Sequence, residues 1–516
     1  MTAINENAVN YFVDRHAGAE YRHKAAFVES ATGRWISYAE LSRETGRLAD
    51  VYERHGIRRE DRAAMVMLDC IEFPIIFWGS LKAGVIPIPL NTLLVGDTYR
   101  TILRDSRARA MFVSSELLPA LGPVLGDCPG LEKVFVIGDS CPGNHLAFHD
   151  EFAPGKLREP LAVSADESAF WLYSSGSTGQ PKGVRHVHGS LRYTADTYGA
   201  QVLGIEHEDV VFSAAKLFFA YGLGNGMTFP MSVGATTVLL GGRPTPADVC
   251  DILNRLEPTI FYCVPTLYAA LIAHVDQGKA SITAALRRCV SAGEALPEQV
   301  GRRWRELTGC DILDGVGSTE MLHIFLSNRP GEVVYGTSGL AVPGYEVRLV
   351  DEHGSEVAHG GIGELLVKGG SSASDYWNQR AKSRSTFEGE WTRTGDKYER
   401  SESGRLIYCG RTDDMFKVAG IWVAPFEVEQ VLVSHPAVLE AAVVAARDAE
   451  GLEKPRAFVV LKQGAGGDHL AEELKELVKE RIGNWKYPRW VEIVPELPKT
   501  ATGKIQRFKL REDAHS

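Results

Sequence analysis

The chain has 516 residues, with 56 Lys plus Arg against 66 Asp plus Glu and a net charge of −10, which leaves no electrostatic case for a nucleic-acid partner. Apolar residues make up 44% and charged residues 24%, the composition of a multidomain globular protein rather than of a disordered, collagenous or disulfide-stapled one. Eight scattered cysteines without a C-x-x-C pair argue against a zinc ribbon and suit a reducing compartment.

The N-terminus is polar, and the most apolar stretch, Phe73 to Leu90, is interrupted by Lys82, Gly79, Gly84 and three prolines. The expectation is a cytoplasmic chain without a membrane span. SYAELSRETGRLADVYERHG predicts a helix, with Ser37 and Glu40 as its capping box. AAMVML then reads as strand, FPIIFWGSLKAG as helix and VIPIPL as strand, so the chain to about Phe170 predicts a parallel, helix-covered sheet. A second alternation follows residue 185: LRYTADTYGAQVLG helix, DVVFSAA strand, GNGMTFPMSVG helix, TTVLL strand, PADVCDILNRLEP helix, TIFYCV strand. After residue 331, short alternating strands with frequent glycine predict an antiparallel barrel-like or sandwich segment. The tail has helix PFEVEQVLVSHP, strands LEAAVVAAR and PRAFVVLK, and helix HLAEELKELVKERIG. The fold class is therefore α/β: residues 1–410 a large N-terminal domain of two helix-covered β-sheet subdomains plus a distorted β-barrel or sandwich segment, residues 411–516 a small α+β C-terminal domain.

Chemistry concentrates in YSSGSTGQPKG, 173 to 183, which follows the strand-like AFWL. Ser174, Ser175, Ser177 and Thr178 supply hydroxyls, Gly176, Gly179 and Gly183 allow close backbone approach, and Lys182 adds a cation, an inventory suited to a polyphosphate. A Walker A loop is excluded, because Pro181 and Gly183 stand where that loop needs Gly and a hydroxyl residue. His145, His149, His186 and His188 lack companions at metal-ligand spacing, and GGSS at 369 to 372 lacks an activating lysine.

Further segments follow in order: SAGEAL (291 to 296), DGVGSTE (314 to 320), GELLVKG (363 to 369), WTRTGDKY (391 to 398), GRTDDMFKVAGIWVAPFEVE (410 to 429) and PKTATGKIQR (498 to 507). On these motifs the whole chain resembles the adenylate-forming enzymes that include acyl-CoA synthetases. Within them, KLFFAYGLGNG and GSTEMLHIFLSNRPG resemble the benzoate-CoA ligase group. The resemblance implies ATP, Mg²⁺ and coenzyme A as reactants and an aryl carboxylate as the acid. It assigns Ser174, Ser175, Gly176, Ser177, Thr178, Lys182, Gly293, Glu294, Asp314, Thr319, Asp396 and Arg411 to ATP and AMP, with Glu320 holding Mg²⁺. Lys504 matches the catalytic lysine, and Thr178, Glu320 and Lys417 join it. Asp413 matches a hinge at which the tail turns, so that the active site is assembled across a domain interface. Gly420 and Ile421 match the coenzyme A tunnel. Val316 departs from the family pattern, which places an aromatic residue there against adenine.

The acyl slot is assigned to Ala220, Tyr221, Gly222, Ser291, Ala292, Gly317, His323 and Ile324, with Phe218 and Phe219 read as core. No Asp or Glu occurs in 216 to 225, which disfavours an amino-acid substrate. His323 reads either as a contact to a ring substituent or as a satisfied core histidine. The expected reaction joins benzoate to coenzyme A through an aryl adenylate. Alternatives are 3- or 4-hydroxybenzoate or cyclohexanecarboxylate as the acid, and, further off, loading of a free carrier protein. The resemblance also implies a monomer or homodimer and makes Lys504 a candidate for acetylation.

Overall fold

The computed structural model describes residues 5–153, 155–175, 180–418, 421–448, 450–462, 464–466, 469–499 and 505–514, with only the backbone of Ser175, Lys417, Ile421, Trp422, Glu512, Asp513 and Ala514. Its contacts divide the chain into two units, Met1–Glu346 with Val367–Thr392, and Val347–Leu366 with Arg393–Ser516.

In the first unit, Ser37 Oγ accepts the Glu40 amide at 3.2 Å and Glu40 returns a carboxylate to the Ser37 amide at 3.0 Å, which starts the helix Tyr38–Arg54. The helix Glu72–Ala83 is buried along almost its whole length and stops at Gly84, whose φ of 71° suits a residue without Cβ. The two helices pack on each other, and the same half of the unit carries a parallel sheet in the order Ile86–Pro89, Arg62–Val66, Ala110–Ser114, Lys133–Ile137, Leu146–Ala147.

A nine-stranded sheet follows, in the order Leu340–Ala341, Ile324–Ser327, Ile312–Gly317, Arg288–Ser291, Ile260–Cys263, Val210–Ser213, Thr236–Leu239, Ala25–Glu29, Trp35–Ser37. From Ile312–Gly317 to Ala25–Glu29 its strands are parallel. The first half of the chain thus lends two strands to the second winding, a correction to the simple division of the two alternating sets. The chain leaves Val210–Ser213 for Thr236–Leu239 on one side and returns to Ile260–Cys263 on the other. That reversal opens a crevice beyond the carboxyl ends of the strands, where ligands bind in open α/β sheets.

A third, antiparallel sheet pairs Ser168–Ser175 with Pro181–Val187 and then Asp375–Tyr376. Lys182 therefore lies on a strand rather than within a loop.

In the second unit, Trp391–Arg400 pairs antiparallel with Leu406–Arg411. The tail sheet runs Val438–Arg447, Glu453–Leu461, Trp490–Ile493. One face packs Val443, Ala457 and Val459 against Val428 and Leu432 of the helix Pro425–Val433 and Leu474 and Val478 of the helix Leu470–Ile482. The other packs Val444 and Phe458 against Leu497 and Leu510. Among the described residues, no helix is long and apolar enough to cross a membrane.

Candidate active site

Pairing of the hairpin ends at Ser175 opposite Pro181. Proline tolerates this first strand position because no ladder donor is required of it. One residue on, Lys182 Nζ lies 3.6 Å from Glu320 Oε1 and 4.5 Å from the centroid of the Tyr376 ring. The Tyr376 hydroxyl donates to Glu320 Oε1 at 2.7 Å and accepts from Lys182 at 3.4 Å. Cation, phenol and carboxylate thus meet on three separate chain segments. His186, on the same strand as Lys182, donates Nε2–H to the Thr319 carbonyl at 2.8 Å and stacks on Phe170 at 5.1 Å. Burial lowers its pKa to about 4, so the ring is neutral and braces the turn before Glu320 through its bond to the Thr319 carbonyl. Among the described residues, no group of three or more His, Cys, Asp or Glu could cage a metal. Thr178, Gly176 and Ser177 lie outside the described residues.

At the carboxyl ends of the parallel strands, Ser291 stands beside Asp314 in register. Both are buried, and Ser291 Oγ and Asp314 Oδ1 have no hydrogen-bond partner in the structure. Burial pushes the Asp314 carboxyl well above the usual carboxylate range against the pull of the Leu296 and Gly315 amides. Unpaired buried polar atoms are costly, and two side by side in a crevice mark a place a polar ligand would satisfy. Gly293 takes φ 98° beside the half-buried Glu294. Val316 and Gly317 are half-buried on the next strand, and a Cβ on Gly317 would stand 2.5 Å from the His323 carbonyl oxygen.

Ala220–Leu223 starts a helix that widens into a π turn at Gly224–Thr228. Tyr221 is half-buried, and its hydroxyl donates to the Val290 carbonyl at 3.2 Å. His323 is buried between Tyr221, Tyr198 and Phe229, with ring centroids 5.6, 5.5 and 4.5 Å away. Its Nε2 donates to the Tyr221 carbonyl at 3.2 Å and to Asn225 Oδ1 at 3.1 Å, while Nδ1 has no partner. Desolvation lowers its pKa to about 3, so the ring is neutral. His323 thus packs with Tyr198 and Phe229, which sequence reasoning did not single out, and with Asn225, the last residue of the segment 216–225 assigned to the acyl pocket. Ala292 and Ile324 are buried beside it, and Phe218 is core as read, whereas Phe219 is half-buried. A Cβ on Gly224 would meet His323 Cδ2 at 2.3 Å. Gly224→Ala is expected to cost about 1–3 kcal/mol of stability; a urea midpoint equal to that of the parent would remove this packing argument.

In the second unit, Arg411 Nη1 donates to Asp396 Oδ1 at 2.9 Å and to the Thr394 carbonyl at 3.1 Å. Strand pairing sets Asp396 opposite Arg411. Asp413 is exposed two residues on. Lys417 and Ile421 are described by backbone alone, on strands Phe416–Val418 and Ile421–Val423, while Gly420 and Lys504 lie outside the described residues.

Residues 13–377 match the family described as AMP-binding enzyme, and residues 427–504 match the AMP-binding enzyme C-terminal domain. The chain is 52% identical over 515 residues, 99% of its length and 95% of the relative's, to the 4-hydroxybenzoate-CoA/benzoate-CoA ligase of Rhodopseudomonas palustris. It is 52% identical over 509 residues, 98% of its length and 95% of the relative's, to the benzoate-CoA ligase of Thauera aromatica. The crystal structure of a benzoate CoA ligase from Burkholderia xenovorans LB400 superposes with a TM-score of 0.90 at 48% identity, covering 98% of this chain and all of that one.

Proposed function

The chain belongs to the AMP-binding enzyme family, and on that footing we propose that it is an ATP-dependent acid-thiol ligase for benzoate or a closely related aryl carboxylate. The observation that carries the reading is the meeting of Lys182, Tyr376 and Glu320, with the aromatic cluster around His323 only three residues along the chain from Glu320.

A benzoate oxygen attacks the α-phosphorus of ATP, the bond to pyrophosphate breaks, and benzoyl adenylate forms. The thiol of coenzyme A then attacks the acyl carbon, the C–O bond to phosphate breaks, and AMP leaves. Neither step needs an enzyme nucleophile, because the adenylate is itself the activated acyl group. Lys182 supplies charge to the phosphates at the hairpin. Glu320 fits Mg²⁺ only in company, since this cation is usually held by one or two carboxylates together with substrate phosphates. When bound, Mg²⁺ supplies neutralisation of phosphate charge. Thr319 and the serine hydroxyls of the hairpin complete that end, and Ser174 Oγ, buried and without a partner, suits a phosphate oxygen. The unpaired Asp314 Oδ1 suits the exocyclic amine of adenine, with Gly293 and Glu294 at its edge. Asp396, fixed by Arg411, suits the ribose diol, since one carboxylate accepts two hydroxyl hydrogen bonds. Lys504 is read as the adenylation cation, Asp413 as the swivel of the tail, and Lys417, Gly420 and Ile421 as the thiol side.

The aromatic character of the assigned acyl segment favours an aryl acid over a fatty chain. Tyr221, Tyr198 and Phe229 pack around the His323 imidazole with ring centroids 4.5 to 5.6 Å away. Purified protein is expected to release AMP from ATP, coenzyme A and benzoate, with kcat/KM above that for acetate or an aliphatic acid. Absence of AMP with benzoate and with both hydroxybenzoates would overturn the reading.

A further inference from the structure

The last helix of the tail is tied to the body of its unit by a buried charge network. Arg507 directs Nε and Nη2 onto Glu429, at 3.2 Å and 3.0 Å to Oε1 and 2.8 Å to Oε2. Glu429 is 6% exposed on the helix Pro425–Val433, and its Oε1 also accepts the Val443 amide at 2.8 Å from the central strand. Arg507 Nη1 reaches Asp414 Oδ2 at 3.5 Å, and Arg511 donates to Oδ1 of the same carboxylate. One residue before Asp414 stands the exposed Asp413. On its other side Arg411 is held to Asp396 at 2.9 Å, and the Thr412 amide donates to Gly395 O at 2.8 Å.

The described residues nearest Lys504 on each side, Lys499 and Ile505, are also held. Lys499 and Ile505 form an antiparallel bridge, the Gln506 amide donates to Pro498 O at 2.8 Å, and Lys499 Nζ pairs with Glu440 at 2.6 Å. Ile505 packs against the cluster of Val444, Phe458, Leu497 and Leu510.

We propose that Glu429, Arg507 and Asp414 are positioning residues for Lys504, and that they tie the chain following it, at Arg507, to the chain just beyond Asp413, so that Asp413 stands between two clamps. The proposal rests on the reading of Lys504 as the adenylation cation. Its physical basis is the planar guanidinium fork, which fixes orientation as well as distance when a buried carboxylate takes it bidentately. Arg507 follows Lys504 by three residues, so slack at the fork becomes slack at the ammonium. A displacement of about 1 Å at a reacting group can cost about a hundredfold in rate.

The test uses the full chain carrying Glu429→Gln or Arg507→Lys. Benzoate-dependent ATP–pyrophosphate exchange reports adenylation, and coenzyme A added to synthetic benzoyl adenylate reports thiol attack. Expected is a fall in exchange kcat of about 10- to 100-fold, with KM for ATP little altered, and at least tenfold greater than the fall in thiol attack. Arg507→Lys, which keeps the charge but loses the fork, falls between parent and Glu429→Gln. Equal losses in both half-reactions, or none in either, would overturn the proposal. Should Glu429→Gln fail to fold, Asp414→Asn is read by the same ratio. An exchange rate untouched by Lys504→Ala would instead remove the reading beneath the proposal, an outcome recognisable because it does not involve the network.

Discussion

Replacing Lys504 by alanine is expected to slow benzoate-dependent ATP–pyrophosphate exchange by about 10²- to 10³-fold. Thiol attack on supplied benzoyl adenylate should slow far less. The asymmetry follows from charge. In adenylation an anionic carboxylate approaches an anionic α-phosphate, and a cation bridging them acts on charge that develops only in the transition state. In thiol attack the acyl carbon is already activated and AMP departs as a stabilised leaving group, so a bridging ammonium has less to do. On the proposed reading KM for ATP should move little, because charge at the phosphate end is assigned to Lys182, which stands beside Glu320 and Tyr376. Equal slowing of both half-reactions by Lys504→Ala would sink the assignment.

What could be read from residue order was mostly local. The capping box at Ser37 and Glu40, the helix Glu72–Ala83 and the tail strands all formed where periodicity and capping placed them, because those signals act over a few residues. The pairing of Ala25–Glu29 with Thr236–Leu239 was not legible, since strand partners two hundred residues apart leave no trace in either segment. The hairpin return Pro181–Val187 was hidden by Pro181 and Gly183, residues that read as loop although proline is tolerated at a strand's first position.

The same divide runs through the site. Lys182, Glu320, Asp314 and His323 were legible because their motifs are compact. Tyr376 was not, although it joins Lys182 to Glu320, because it belongs to a short strand that only tertiary structure brings to the hairpin. Tyr198 was missed for a different reason. It lies in a segment that read as ordinary amphipathic helix, whereas the chain forms a π turn at Ala195–Leu203, as it does again at Gly224–Thr228. Widened turns of this kind often mark functional sites, and no hydrophobic period distinguishes them from an α-helix. For His323, burial and a fixed Nε2–H tautomer fit both readings at once: it is satisfied on one edge and offers a bare Nδ1 on the other.

Mild acid is expected to unfold the large unit. His16, His186 and His188 are buried with pKa lowered to about 4, and His323 with pKa lowered to about 3, in each case chiefly by desolvation. In the unfolded chain each takes up its proton near the ordinary histidine value of about 6.5. Between there and the folded value the unfolded state binds more protons. Stability contributed by the neutral rings is therefore present above pH 6.5 and is lost as pH falls. Each histidine contributes a slope of up to about 1.4 kcal/mol per pH unit, so passage from pH 7 to pH 5 costs about 2 kcal/mol apiece and on the order of 7 kcal/mol together. That is comparable with the roughly 5–15 kcal/mol that holds a typical native state. Asp314 and Asp69 act in the opposite sense, because burial raises both carboxyls and their protonation relieves that cost as pH falls. Asp69 is partly compensated already by Lys216 at 3.7 Å, so its relief is the smaller. The window from pH 7 to 5 lies above the titration of ordinary carboxylates, which keeps the exposed ion pairs out of the comparison. Urea unfolding at the two pH values is expected to show a large drop in midpoint. His188→Asn, which keeps an acceptor where Nδ1 receives the Ala8 amide at 3.2 Å, should flatten the pH slope by roughly a quarter. A midpoint that does not move between pH 7 and pH 5 would show that these rings are protonated within the fold.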